Sequence, residues 1–213
     1  MNETYTLYGS RGSGSAAVEA ALEACGLPYR MVRAATWEPD SALEALRRVN
    51  PLQQIPTLVL PDGGVMTESA AILLHLGFDV PAGRSLLPEE PGARAQAIRG
   101  LVFIAANCYS AIGIADYPER WTLSTDDKGR EDLRQGTRQQ LHRHWEIFAD
   151  TFAGTPFLTG AQPGALDFLA AVVSKWAGTR AHLRENRPSF LKTLESIEAH
   201  DLVAPVFKRH WDA

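Results

Sequence analysis

Asn50-Pro51-Leu52-Gln53-Gln54-Ile55-Pro56-Thr57-Leu58, followed after a short interval by Thr67-Glu68-Ser69-Ala70-Ala71-Ile72, decides the fold. Thr57-Leu58-Val59-Leu60 reads as a β-strand opened by a proline, which has no N–H to donate and so sits at a strand start or edge. If the Ile55-Pro56 bond is cis, the N–H and C=O of Ile55 turn outward and an extended ligand can pair with them as an added strand. If it is trans, Pro56 is an ordinary edge-strand proline. Glu68-Ser69 opens a helix. Free N–H groups and the helix dipole favour an anion there, Ser69 adds a hydroxyl, and Glu68 can accept from an ammonium group. The plainer reading is a helix cap, with Thr67 or Ser69 satisfying backbone donors.

Working outward, Thr4 to Tyr8 alternates and reads as a strand, and Ala16 to Cys25 reads as an alanine-rich helix stopped by Gly26 and Pro28. Tyr29 to Ala34 follows as a second strand. This βαβ unit favours a parallel pair. Asp40-Ser41 opens a second helix to about Val49. Pro61-Asp62-Gly63-Gly64 is a hairpin signal, Val65-Met66 starts the return strand, and Thr67 or Glu68 starts a helix to about Leu76. The order βαβαββα describes a small sheet with helices on both faces. Residues 79–91, rich in proline and glycine, read as a linker between a unit at 1–78 and a unit at 92–213. The second unit reads as all-helical, with segments at Ala93–Ala115, Glu131–Phe152, Ala165–Trp176 and Ser189–His200.

Between the first strand and first helix lies Gly9-Ser10-Arg11-Gly12-Ser13-Gly14-Ser15. Ligands of α/β sheets gather outside carboxyl strand ends, which is where this loop falls. A serine hydroxyl near a helix N-terminus would favour the thiolate of a bound thiol, by the electrostatics that lower a cysteine pKa. Each serine also reads as a turn residue or N-cap. The glycines do not form GxGxxG, and no Walker lysine follows, so a nucleotide loop is discounted.

The 213 residues suffice for one large domain or two small ones. The net charge of −4 gives no sign of nucleic-acid binding. Residues 1–80 hold five arginines, no lysine and nine acids, and so carry the whole −4. An anionic ligand there needs local donors. Cys25 and Cys108 form no CxxC or zinc spacing, and the six histidines form no metal motif, so no metal is expected. Two isolated cysteines suit a reducing, cytoplasmic setting. The N-terminus lacks the basic and apolar regions of a secretory leader, and no run of 18 apolar residues suggests a membrane span.

With Leu7-Tyr8-Gly9-Ser10, Gly26-Leu27-Pro28-Tyr29, Leu87-Pro88 and Leu166-Asp167 added to the two opening stretches, the chain resembles the cytosolic glutathione S-transferase superfamily, in its bacterial type with a serine-containing active-site loop. The resemblance implies an N-terminal thioredoxin-like domain, an all-helical C-terminal domain, a homodimer, and glutathione as cosubstrate in detoxifying attack on a small hydrophobic electrophile. It makes Pro56 the cis-proline, pairs Ile55 with the cysteinyl backbone, and gives the γ-glutamyl end to Glu68 and Ser69. Ser13 maps to the thiol-activating position, with Ser10 and Ser15 as alternatives. Where relatives carry a catalytic cysteine, the nearest residue here is Gly14. Arg11, Arg33, Gln53 and Gln54 are candidate glycyl-end contacts, with Arg11 and Gln54 preferred. The second substrate is expected against Phe103, Asn107, Tyr109 and Tyr117. An isomerase, a dehalogenase or a non-catalytic binding protein are the alternatives on this fold. Gly164 and Asp167 are expected to form a helix cap of structural importance.

Overall fold

The computed structural model describes residues 4–78 and 85–212. Strands β1 (Tyr5–Gly9), β2 (Tyr29–Arg33), β3 (Thr57–Val59) and β4 (Val65–Met66) form one sheet in the order β2-β1-β3-β4. β1 and β2 are parallel, with Tyr5 opposite Tyr29, as a crossover through a helix requires. β3 runs antiparallel to both β1 and β4, with Leu58 between Leu7 and Met66.

Strand alternation divides the sheet faces. Leu7 and Leu58 enter the main core, while Tyr8 joins Ala34 and Leu46 in a small cluster on the other face. Helix α2 (Leu43–Val49) covers that second face. It begins later than Asp40-Ser41. Asp40 has φ 62°, and the Ser41 hydroxyl is spent on the Ala35 carbonyl at 2.9 Å, so neither caps the helix. Helices α1 (Ser15–Ala24) and α3 (Ser69–Phe78) cover the first face. The alanines of α1 let it pack closely against neighbouring elements. Gly26, with φ 65°, ends the helix: the Leu27 N–H donates to the Leu22 carbonyl at 2.9 Å in a left-handed cap.

Of the expected linker, residues 79–84 lie outside the described residues. Leu86 and Leu87 beyond them are buried rather than exposed. Helix α4 (Pro91–Phe103) starts two residues before Ala93, because a proline is tolerated at the first helical position and Glu90 accepts from the Gly92 N–H at 2.8 Å. The helix continues through a π-helical turn (Ile104–Tyr109) into α5 (Ser110–Asp116). The run Pro91–Asp116 is long and apolar enough to cross a membrane, which the sequence reading did not expect. One side of it, including Ala97, Leu101, Ile104 and Cys108, is buried in the protein core.

Helix α6 (Asp127–Phe152) also starts earlier than expected, capped by Asp126, which accepts from the Gly129 N–H at 2.6 Å. Helix α7 (Ala165–Val173) is wholly buried. Asp167 accepts from the backbone N–H of Gly164 (3.0 Å), Leu158 (2.7 Å) and Thr159 (3.2 Å). Helices α8 (Thr179–Asn186) and α10 (Ala204–Trp211) were not expected, while α9 (Pro188–Ala199) was. One continuous core joins the sheet residues Leu7 and Leu58 to Leu101, Phe148 and Leu169 of the helical part.

Candidate functional site

The site lies where α1 and α3 begin. The Ile55–Pro56 peptide is cis, as is Thr155–Pro156, which the sequence reading did not single out. The β-turn ahead of Pro56 is held by Asn50, whose amide donates to the Gln54 carbonyl (3.0 Å) and Thr57 Oγ1 (2.9 Å). The Gln54 side chain is exposed and Ile55 is half-buried. Glu68 is exposed and takes the left-handed conformation, φ 65°, which is uncommon outside glycine. Ser69, the first residue of α3, is buried.

Tyr109 reaches this place from the π-helical turn. A Cβ added at Gly14 would collide with the Tyr109 hydroxyl and stand 3.5 Å from Pro56 Cδ. The hydroxyl therefore occupies the space that a side chain at position 14 would fill. Burial pushes it up to about 12; nearby Glu68 and Asp116 add to the shift, and the Ser69 hydroxyl opposes it. Tyr109 is thus a neutral donor throughout the physiological range. Its ring lies 5.7 Å from that of Trp176, an apolar wall the sequence reading missed. One point in space gathers Gly14, Pro56, Ser69 and Tyr109.

The loop serines are buried and already bonded. The Ser10 hydroxyl donates to Glu38 and, together with Arg33, holds that carboxylate below its ordinary value. Ser13 Oγ lies 2.7 Å from the Ser10 carbonyl and 2.8 Å from Ser15 Oγ, which itself lies 3.1 Å from that carbonyl. Two hydroxyl protons and two internal acceptors close this network, so a third partner must displace one of its bonds. Arg11 is exposed and lines a cavity of about 480 Å³ with Glu19, Met31, Arg33, Arg209 and His210, on the β2 and α10 side.

Of the four residues expected to share a second-substrate pocket, Phe103 and Asn107 face α6 instead. Phe103 packs on α6, 6.3, 5.9 and 5.8 Å from the rings of His144, Phe148 and Phe152. The Asn107 carbonyl accepts from His144 Nδ1 at 3.0 Å, again on the α6 side. Residues two apart lie on opposite faces of a helix, so Asn107 and Tyr109 diverge. Tyr117 carries the Arg120 guanidinium over its ring at 4.1 Å.

Residues 15–77 match the family model described as "Glutathione S-transferase, N-terminal domain". This N-terminal part is similar to the glutathione S-transferases. It is 28% identical over 206 residues to an uncharacterized GST-like protein, YncG, of Escherichia coli K12, covering 96% of this chain and 97% of that one. It is 30% identical over 156 residues to a probable glutathione S-transferase, BZ2, of Zea mays, covering 69% of this chain and 63% of that protein. A glutathione transferase homologue from Sulfitobacter, solved with bound glutathione, shares the fold at a TM-score of 0.81 and 24% identity, over 96% of this chain and 97% of that one. The transferase fold accounts for both parts of the molecule, the four-stranded sheet with its helices and the helical remainder.

Proposed function

We propose that the chain is a glutathione transferase, binding glutathione along Ile55 with its γ-glutamyl end at Glu68 and Ser69. The observation that carries this reading is the convergence of Gly14, Pro56, Ser69 and the Tyr109 hydroxyl. The glutathione thiol comes to rest beside that hydroxyl and the N-terminus of α1. A hydrogen bond from a neutral phenol and the positive end of a helix both favour the thiolate. The electrophile then lies against the wall that Tyr109 and Trp176 form, and the thiolate attacks it by proximity and orientation.

Among the hydroxyls, Tyr109 has the stronger claim to the thiol. Ser13 must break a bond to Ser10 or Ser15 before it can donate, whereas Tyr109 receives help from Ser69 and keeps its own proton. Ser13 and Ser15 act as the second line, shaping the loop. Gln54 and Arg11 remain the proposed contacts for the glycyl end. A homodimer belongs to the same reading; exposed Leu52, Val65, Phe78 and Val102 are apolar surface available to a partner copy, and sedimentation velocity checks it.

Calorimetric titration with glutathione tests binding. Absorbance of the bound thiolate tests activation: Tyr109→Phe raises the thiol pKa by about 1–2 units, the worth of one hydrogen bond to a charged group. A sharp loss in Ser13→Ala with no change in Tyr109→Phe returns the role to Ser13. A panel of an aryl halide, an alkyl halide and a cis–trans enone names the reaction. Glutathione binding with no turnover across that panel identifies a binding protein instead.

A further inference from the structure

The loop that carries the serines is held from the far end of the chain. His210, on α10, is 7% exposed, and Glu19, on α1, is 5% exposed. His210 Nε2 lies 2.7 Å from Glu19 Oε2, and the Gly12 N–H donates to His210 Nδ1 at 3.2 Å. A backbone N–H can only donate, so Nδ1 must present its lone pair and Nε2 must carry the proton toward Glu19. The geometry alone fixes the tautomer. Glu19 is fixed in turn: its Oε1 accepts from the Tyr29 hydroxyl at 2.8 Å and from Arg209 at 2.8 and 3.1 Å. Gly12 has φ 64°, a left-handed turn that swings the chain into Ser13 and Gly14. On its other side the Trp211 indole nitrogen lies 3.7 Å from where a Cβ would stand.

We infer that His210 is a positioning residue for the active-site loop, the middle member of a carboxylate–imidazole–amide relay running from Glu19 to Gly12. The relay sets where Ser13 and Gly14 sit beneath Tyr109. An imidazole fits because it must accept on one side and donate on the other, with its two nitrogens spread across a rigid ring. Its catalytic consequence rests on the proposed thiol site; the relay itself does not.

Two amide substitutions separate the halves of the relay. Asparagine places its oxygen at the position of the inner nitrogen, so His210→Asn keeps an acceptor for Gly12 and drops Glu19. Glutamine reaches the position of the outer nitrogen, so His210→Gln keeps Glu19 and leaves Gly12 without an acceptor. Two readouts are taken on the full chain: kcat and glutathione KM with an aryl halide, and hydrogen exchange of the peptide containing residues 9–15. The expected result is that the asparagine variant stays within about threefold of wild-type kcat and exchange, while the glutamine variant loses about tenfold in kcat and exchanges faster, with KM little changed. The reverse order, with kcat and protection kept in the glutamine variant and lost in the asparagine variant, overturns the inference, because His210 would then only pin α10 to Glu19. If the wild-type protein turns over no electrophile, the exchange readout still decides the relay, and that failure belongs to the transferase reading.

Discussion

At residue 14 a single hydrogen atom stands where a side chain would collide with Tyr109. Gly14→Ala is therefore expected to push the Tyr109 hydroxyl away from Pro56 and Ser69. The expected cost is at least about tenfold in kcat with the aryl halide, with unchanged far-ultraviolet circular dichroism, because position 14 precedes the first full turn of α1. Glu19 carries a pH prediction. Burial would raise its carboxyl, but hydrogen bonds from His210, Arg209 and Tyr29 outweigh burial and hold it below 4.5. A depressed folded pKa contributes stability that is complete above the unfolded value and is lost as pH falls through the folded one. Thermal stability of the wild type should therefore drop more steeply below about pH 4.5 than that of Glu19→Gln, measured by scanning calorimetry across pH 3 to 7. Much of this site was legible: Pro56, Glu68, Ser69 and the serine loop announce themselves by position relative to strand and helix starts. The part played by Tyr109 at Gly14 was not, because no local pattern tells which face of a long apolar helix meets a loop nearly a hundred residues earlier.

Among the elements, the buried N-terminus of α7 depends on one carboxylate. Asp167 satisfies three backbone N–H groups and the Thr159 hydroxyl, while burial pushes its own carboxyl up. Asp167→Ala leaves those donors unpaired in the core and should cost about 3 kcal/mol, read from urea unfolding. Asp167→Asn keeps one acceptor and should cost less. The Gly164–Asp167 spacing made this cap readable in advance. The helices that escaped the sequence reading have different causes. α8 is short and polar, and within it only Thr179 and Leu183 are buried. α10 opens with Pro205 at its second position, which looks like a breaker but is tolerated there, and its buried residues are only Val206, Phe207 and His210. The π-helical turn inside the long α4–α5 run is invisible to a 3.6-residue pattern, and wide turns of this kind recur at functional sites.

Across the whole molecule, one core passes without a break from the sheet to the helical part, through α1, α3 and α7. Unfolding should then be a single cooperative transition. Tryptophan fluorescence and far-ultraviolet circular dichroism should give coincident urea curves, and separated midpoints would show independent units. Cys25 and Cys108 are both buried in that core, and burial pushes the Cys108 thiol up to about 12. A thiol-specific chromophoric reagent should therefore label the native protein slowly and the urea-unfolded protein at once. The apolar wall beside Tyr109 was the least legible feature at this scale. It is built by Trp176 meeting Tyr109, two residues whose sequence positions give no hint of the meeting.

The bond from Gly12 to His210 joins residues 198 positions apart. During synthesis the loop leaves the ribosome long before the helix that fixes it. A nascent chain can assemble its sheet early, yet its serine loop waits for α10 to arrive. On the proposed reading, competence to hold a reactive thiol would then wait until α10 has been made, sparing a half-made chain from carrying an open, unfinished site.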